Sequence, residues 1–109
     1  MTHNPAALLS IVAYKPKPGK EAELRSLVEE HVPYLRSLGL ATDRPQILAT
    51  SADGTHIEVF EWTQGGIERA HAHAGLLALW KRFMDVCDIV PLQTLHETSG
   101  VFANFVPAN

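Results

Sequence analysis

The chain has 109 residues, of which 46% are hydrophobic and 19% charged, a composition typical of a globular domain rather than of a disordered segment. Nine Lys and Arg against twelve Asp and Glu give a net charge of −3. Nucleic acid is not expected as a partner, because binding to phosphates requires grouped cations and the sequence contains no basic cluster. We predict a single domain over residues 1–109, with residues 1–7 as a flexible N-terminus.

The beginning of the sequence shows no basic segment followed by a long apolar run, so a secretory leader is not expected. No stretch approaches the roughly 20 apolar residues that cross a bilayer. The single cysteine, Cys87, cannot form an intrachain disulfide. These observations predict a cytoplasmic protein without a membrane partner.

The first half of the chain predicts a strand followed by an amphipathic helix. Residues 8–14 form a short apolar run between polar and proline residues, as expected of a buried strand. Apolar residues then recur at steps of three and four along residues 20–38, which is helical spacing. Pro33 removes one amide donor and is expected to kink this helix or to separate its last turn, and Gly39 is expected to end it.

A β-hairpin is predicted next, because Asp53 and Gly54 separate two strand-like runs. In the second run Glu58 and Trp62 fall on the same face, since side chains alternate along a strand. The pair Gly65 and Gly66 is expected to end this strand.

Helical spacing returns from residue 67 to about residue 86, with Gly75 as a weak point between two segments. The last strand is expected at residues 92–98, after Pro91. Residues 100–109 are apolar for a chain end, and we expect them to extend the sheet or to pack on a partner.

The predicted order is therefore β-α-β-β-α-β, which implies an α+β, ferredoxin-like fold with two helices on one face of a four-stranded antiparallel sheet. Within one chain, the other face of that sheet would be left uncovered. A bare apolar sheet face favours pairing with a second copy, so we predict a homodimer in which the two sheets face each other.

Two histidines fall in the apolar rows of the predicted helices. His31 lies in the stripe of the first helix, and His73 is in helical register with Ala70, Leu77, Trp80 and Met84. Each helix would then direct one imidazole towards the sheet, near Trp62 and Glu58. The simpler interpretation is that both are core-edge histidines whose ring nitrogens are satisfied by backbone or water.

A metal site is not expected. His71 and His73 are two residues apart, which on a helix directs them roughly 200° apart, and no His pair has the helical spacing of H-E-x-x-H. A phosphate-binding glycine loop and a nucleophile elbow are also missing from the sequence. We therefore predict no metal and no cofactor.

The sequence resembles the antibiotic biosynthesis monooxygenase-like group of the dimeric α/β-barrel superfamily. The resemblance rests on "KPGKEAELRSLVEEH" after the first strand and on "VFEWTQGGIERAH" between the third strand and the second helix. In that group an aromatic residue at the strand end is commonly followed nine residues later by a helix histidine, as Trp62 is by His71. Phe60 and Leu76 stand where relatives often carry Glu and a second His.

The resemblance implies a dimeric α/β barrel and a cofactor-independent monooxygenase that oxidises aromatic or quinol-type substrates through the substrate's own anion. The candidate catalytic residues are His73 and His31, which helical periodicity directs towards the sheet, and His71, which the resemblance implies. The candidate substrate-binding residues are Trp62, Glu58, Tyr34 and Trp80.

Two other functions remain open from the sequence. The same histidines could move a proton in an isomerase that acts on a small carbonyl compound. Alternatively, the protein could be a non-catalytic ligand-binding or interaction module, since Phe60 and Leu76 replace polar residues. The expected partner is a small-molecule ligand, and the flat apolar walls of Trp62 and Trp80 favour an aromatic one.

Overall fold

In the computed structural model, which describes residues 7–109, three helices and a five-stranded antiparallel sheet make up an α+β structure. The strands are β1 (Leu8–Pro16), β2 (Ile47–Thr50), β3 (His56–Trp62), β4 (Cys87–Val90) and β5 (Val106–Pro107). The helices are α1 (Glu21–Ser37), α2 (Gly66–His71) and α3 (Ala74–Val86). Two short 3₁₀ turns, Leu92–Thr94 and His96–Ser99, follow β4.

The strand order is β4-β1-β3-β2-β5, which places β1 and β3 near the centre of the sheet. These two strands pair from Leu8 opposite Trp62 to Tyr14 opposite His56. The hairpin between β2 and β3 is confirmed, and Gly54 takes a φ of +89° in its turn, a conformation that glycine adopts readily.

The predicted first helix is confirmed as α1, which packs against α3 over the sheet. Pro33 lies inside α1 on its exposed side, and the last turn is not separated. Gly39, with a φ of +72°, follows the helix end, as predicted. The amide of Leu40 donates to the carbonyl of Leu35 at 2.9 Å and that of Gly39 to Arg36 at 3.0 Å, which is the Schellman pattern.

The predicted second helix is two helices, and the break lies at Ala72 and His73 rather than at Gly75. His73 has extended backbone angles, and its Nδ1 accepts a hydrogen bond from the amide of Leu76. A side-chain acceptor at this position stabilises the start of α3, because the first amides of a helix have no partner within it.

The prediction of a last strand at residues 92–98 is wrong. The strand is β4, which begins directly after α3, and residues 92–98 form the 3₁₀ turns. Leu92 and Leu95 are three residues apart, the period of a 3₁₀ helix, and both pack on the sheet face away from the helices.

That outer face is therefore covered in part, contrary to the expectation of a bare face. A second apolar cluster forms there from Ala13, Ala49, Ile57 and Leu95, with Val59, Val90, Leu92 and Phe105 at its edges. β5 lies beside β2 and extends the sheet by one strand beyond the predicted four. Leu9, Ile11 and Ile47, which continue the same face, remain about half exposed.

The predicted flexible N-terminus lies outside the described residues except for Ala7. Within residues 7–109, none of the helices combines the length and apolar character needed to cross a membrane.

Candidate functional site

A cavity of about 450 Å³ lies on the inner face of the sheet, beneath α3. Alternate residues of the central strands form its floor, because every second side chain of a strand points to the same face. Its lining residues are Ser10, Val12, Tyr14, His31, Phe60, Trp62, Leu77, Trp80, Lys81, Phe83, Met84 and Ile89. The wall is mostly apolar and aromatic, the type of surface that binds small organic molecules.

A chain of hydrogen bonds between buried side chains runs from the sheet to this cavity. Glu58, which is 0% exposed, accepts from the Tyr14 hydroxyl at 2.7 Å through Oε1. The same carboxylate lies 2.9 Å and 3.2 Å from Nδ1 of His31. The indole Nε1 of Trp80 lies 3.0 Å from Nε2 of His31. The four side chains are supplied by β1, β3, α1 and α3, so the chain forms only when all four elements are packed.

The contact with Trp80 determines the tautomer of His31. An indole N–H can only donate, so Nε2 of His31 must be the acceptor and carries no proton. Nδ1 then carries the ring proton and donates it to Glu58. The imidazole is therefore neutral in this arrangement, and its acceptor nitrogen is directed away from Glu58 towards α3.

Tyr14 remains a neutral phenol. Burial raises the pKa of Tyr14 well above its usual value of 10.0, and the neighbouring Glu58 carboxylate raises it further. The hydroxyl therefore serves as a donor to Glu58. Three donors compensate for the burial of the carboxylate, which would otherwise be costly: Tyr14, His31 and, at 3.5 Å from Oε2, the side-chain amide of Gln46.

Aromatic rings surround the imidazole of His31. Phe60 and Phe83 approach it edge-on at centroid distances of 5.6 Å and 5.4 Å, and Trp80 at 6.4 Å. Rings packed on several sides restrict rotation of the imidazole and exclude water from it. The arrangement holds Nε2 in one direction, as a positioned acid–base group requires.

The structure brings together four of the residues predicted for the site. His31 and Glu58 form the buried pair, and Trp62 and Trp80 contribute walls of the cavity. The indole Nε1 of Trp62 donates to Ser10 Oγ at 2.8 Å, which orients this ring at the end of β3.

Three predicted residues lie outside the cavity. His73 begins α3 and is half-buried beside Tyr34, with ring centroids 6.3 Å apart. His71 is exposed; its Nδ1 donates to the carbonyl of Ile67 at 2.7 Å, and its ring packs on the outer side of Trp80. The expectation that His73 points inward is wrong, because His73 is not helical: its backbone is extended, and its ring accepts the amide of Leu76 at the start of α3.

Tyr14 and Ser10 are the site residues that sequence reasoning did not assign. Alternation along β1 places both on the face of Val12, and the pairing of Tyr14 with His56 brings its hydroxyl close to Glu58 one step along β3. The sequence does not give the pairing register of β1 and β3, and without it Tyr14 could not be placed beside Glu58. Lys81 also lines the cavity and was not assigned from the sequence, whereas Met84 lines it together with Leu77 and Trp80, the residues of its helical row.

Among residues 7–109, no three His, Cys, Asp or Glu side chains come close enough to hold a metal ion. Cys87 is buried, its Sγ lies 3.1 Å from the carbonyl of Phe83, and burial raises the pKa of the thiol to about 11. A thiol in that state is a poor nucleophile and ligand.

Comparisons with known proteins found no matching family model, no matching curated protein and no matching solved structure. The resemblance to the monooxygenase-like group therefore remains a prediction from the sequence.

Proposed function

We propose that the protein is an enzyme that binds a small, largely aromatic substrate in the inner cavity and removes a proton from it with His31. The observation that carries this proposal is the buried chain Tyr14–Glu58–His31, which ends at the aromatic cavity. A carboxylate that accepts a hydrogen bond from the Nδ1–H of a histidine fixes the tautomer in which Nε2 can act as a base.

The proton transfer balances within the site. A phenolic or activated C–H group of the substrate gives its proton to Nε2 of His31, which leaves a substrate anion and an imidazolium. The negative charge of Glu58, 2.9 Å from Nδ1, stabilises that imidazolium in a site shielded from water. Tyr14 keeps its proton throughout and continues to donate to the carboxylate.

In the proposed reaction, dioxygen is the co-substrate and the substrate anion supplies the electrons. With a substrate methylene as the site of oxidation, one oxygen atom becomes the carbonyl oxygen of the product and the other leaves as water. The resemblance to cofactor-independent monooxygenases supports this second step. The isomerase alternative shares the proton transfer and returns the proton to another carbon of the substrate.

Oxygen consumption tests the proposal with a panel of dihydroxyaromatic compounds that carry such a methylene in the ring system. We expect His31→Ala and Glu58→Gln to lower turnover by about 10²- to 10⁴-fold, the usual contribution of a positioned base. His96→Ala is the matched control, since His96 is exposed on a 3₁₀ turn outside the cavity. Turnover without oxygen, with exchange of a substrate proton for solvent deuterium, would favour the isomerase.

One observation favours a non-catalytic ligand-binding module. The lone pair of His31 Nε2 is already used by Trp80, so a substrate has to displace that indole before it can give up a proton. Trp80→Phe keeps an aromatic wall and removes the competing donor. We expect it to increase the proton-transfer rate of an enzyme, whereas binding without turnover in both variants would establish the binding module.

We also propose that β1–β4 with α1 and α3 form a ferredoxin-like core, and that two copies pair through their outer sheet faces. The central position of β1 and β3 supports the first point. The second is supported by an apolar strip on the outer face, Leu9, Ile11 and Ile47, beside a groove of about 360 Å³ lined by Ile47, Val59 and Phe105, among others. In a twofold dimer, this strip can pack against the same strip of the second copy.

The tail from residue 100 to 109 is expected to complete this dimer, because Val101 and Phe102 are 96% and 80% exposed. Sedimentation equilibrium of Ile47→Ser and Phe102→Ser should show dimer dissociation constants raised about tenfold or more. Leu8→Ser is the control, since Leu8 is equally exposed but its position in β1 directs it to the inner face. A wild-type monomer at micromolar concentration would overturn the dimer.

A further inference from the structure

The polar groups that reach the cavity share one property: none of them is an anion. Lys81 is the single charged residue of the lining, and it is exposed where α3 borders the cavity. The ion pairs of the described residues leave Lys81 without a carboxylate partner. Its ammonium group is therefore available to a bound molecule.

Ser10 adds a neutral donor on the opposite side. Its Oγ accepts the indole N–H of Trp62, and within residues 7–109 its own hydroxyl proton has no acceptor. The carboxylate of Glu58 does not oppose an anionic ligand directly, because it is fully buried behind Tyr14 and His31. The cavity thus combines an apolar interior with one cation and one free donor.

We propose that this cavity binds an apolar organic monoanion, an aromatic carboxylate, with its carboxylate beside Lys81 and its ring system between Trp62 and Trp80. The inference rests on the proposed function only in using the same cavity, and it requires no proton transfer. A ring of this kind matches the aromatic walls, and a volume of about 450 Å³ is in the range that holds small organic ligands. A carboxylate would give Lys81 the charge-assisted partner that it lacks.

The test compares three probes of one shape by calorimetry: naphthoate, its neutral carboxamide and naphthylmethylammonium. We expect naphthoate to bind most tightly and the cation most weakly. Lys81→Gln should weaken the binding of naphthoate about three- to fivefold, the size expected of an exposed ion pair, and leave the carboxamide unchanged. Lys15→Gln is the control, since Lys15 is an exposed lysine outside the lining.

The two tryptophans of the chain locate the bound probe, because both line the cavity. Each gives one indole N–H signal in the ¹⁵N NMR spectrum, and both signals should shift when naphthoate binds. Equal affinity for the three probes, or an unchanged affinity in Lys81→Gln, would overturn this inference and leave the proposed function standing. If no probe binds and neither signal shifts, this inference fails, and the proposed function is decided by the oxygen-consumption test alone.

Discussion

The inner and outer faces of the sheet are built from alternate residues of the same strands, yet the inner face buries a polar network and the outer face buries a cluster of apolar side chains. On β3, Glu58 points inward to a network of polar side chains, whereas Ile57 and Val59 on either side of it point outward into a purely apolar cluster. A shift of the β1–β3 pairing by one residue would place a carboxylate in the apolar cluster and leave Tyr14 and His31 without an acceptor. The polar network therefore specifies the register, and the apolar cluster contributes stability without such specificity.

The largest expected effect comes from breaking the inner network. Glu58→Ala leaves the Tyr14 hydroxyl and the Nδ1–H of His31 buried without an acceptor, so we expect the free energy of unfolding to fall by about 3–5 kcal/mol. Glu61→Ala is the control on the same strand, because Glu61 accepts from the Thr42 hydroxyl at 2.9 Å and pairs with a largely exposed Arg44 at 3.1 Å, so its loss should cost only about 1–2 kcal/mol. Urea denaturation measures both, and equal losses would mean that the network does not stabilise the fold.

The outer cluster should respond as an ordinary apolar core. Leu95 is 4% exposed on the outer face, and we expect Leu95→Ala to lower the free energy of unfolding by about 2–4 kcal/mol through lost contacts and the cavity left behind. Phe102→Ala, at an exposed residue of the same C-terminal segment, should change it by about 0.5 kcal/mol or less under conditions that keep the protein monomeric. Chemical denaturation that gives the two variants equal stability would show that the 3₁₀ turns do not cover the sheet.

Alkaline pH should lower stability through the inner face and not through the outer one, because the buried phenol of Tyr14 lies on the inner face. The pKa of Tyr14 is raised by burial and by Glu58, so the folded state keeps a proton that the unfolded chain loses above pH 10.0. The stabilising contribution is present below that pH and decreases above it, by about 1.4 kcal/mol per pH unit. The Tyr14→Phe variant should lack this part of the decrease. Identical alkaline profiles for the two proteins would contradict the assignment of Tyr14 as a buried donor.

The smallest effect is expected at the β2–β3 turn, where neither face is involved. Asp53 accepts hydrogen bonds from the Ser51 hydroxyl and from the Thr55 amide, and these lower its pKa from 3.8 to about 2. The stabilisation is present above pH 3.8 and is lost as the pH falls through about 2. Asp53→Asn should therefore lower the thermal midpoint slightly at neutral pH and reduce the loss of stability on acidification. If Asp53→Asn and the wild type lose stability equally as the pH falls, the turn does not contribute to the pH dependence of stability.

The order of the elements could be predicted from the sequence, but the directions of several side chains could not. Periodicity identified α1 and β3, and with them His31, Glu58 and Trp62, because one apolar stripe or one alternating run decides each face. The histidines at 71 and 73 could not be placed, since the break at Ala72 and His73 leaves His71 at the end of a separate helix and takes His73 out of the helical row of Leu77, Trp80 and Met84. The cover of the outer face was missed because the length and apolar composition of the segment after Pro91 predict a strand, whereas the three-residue spacing of Leu92 and Leu95 fits a 3₁₀ turn and would put the two side chains on opposite faces of a strand.

The position of β1 has a consequence for the order of folding. β2 and β3 are joined by a tight turn and can pair early, whereas β1 pairs with β4, which follows all three helices in the chain. Contacts between such distant residues form slowly, because the entropy of closing a long loop is lost before the contacts can stabilise the closed chain. The cavity, which needs β1, α3 and β4 together, is therefore expected to be among the last parts to assemble. A molecule that binds there would recognise only the finished fold, and would slow unfolding of the whole domain rather than of one element.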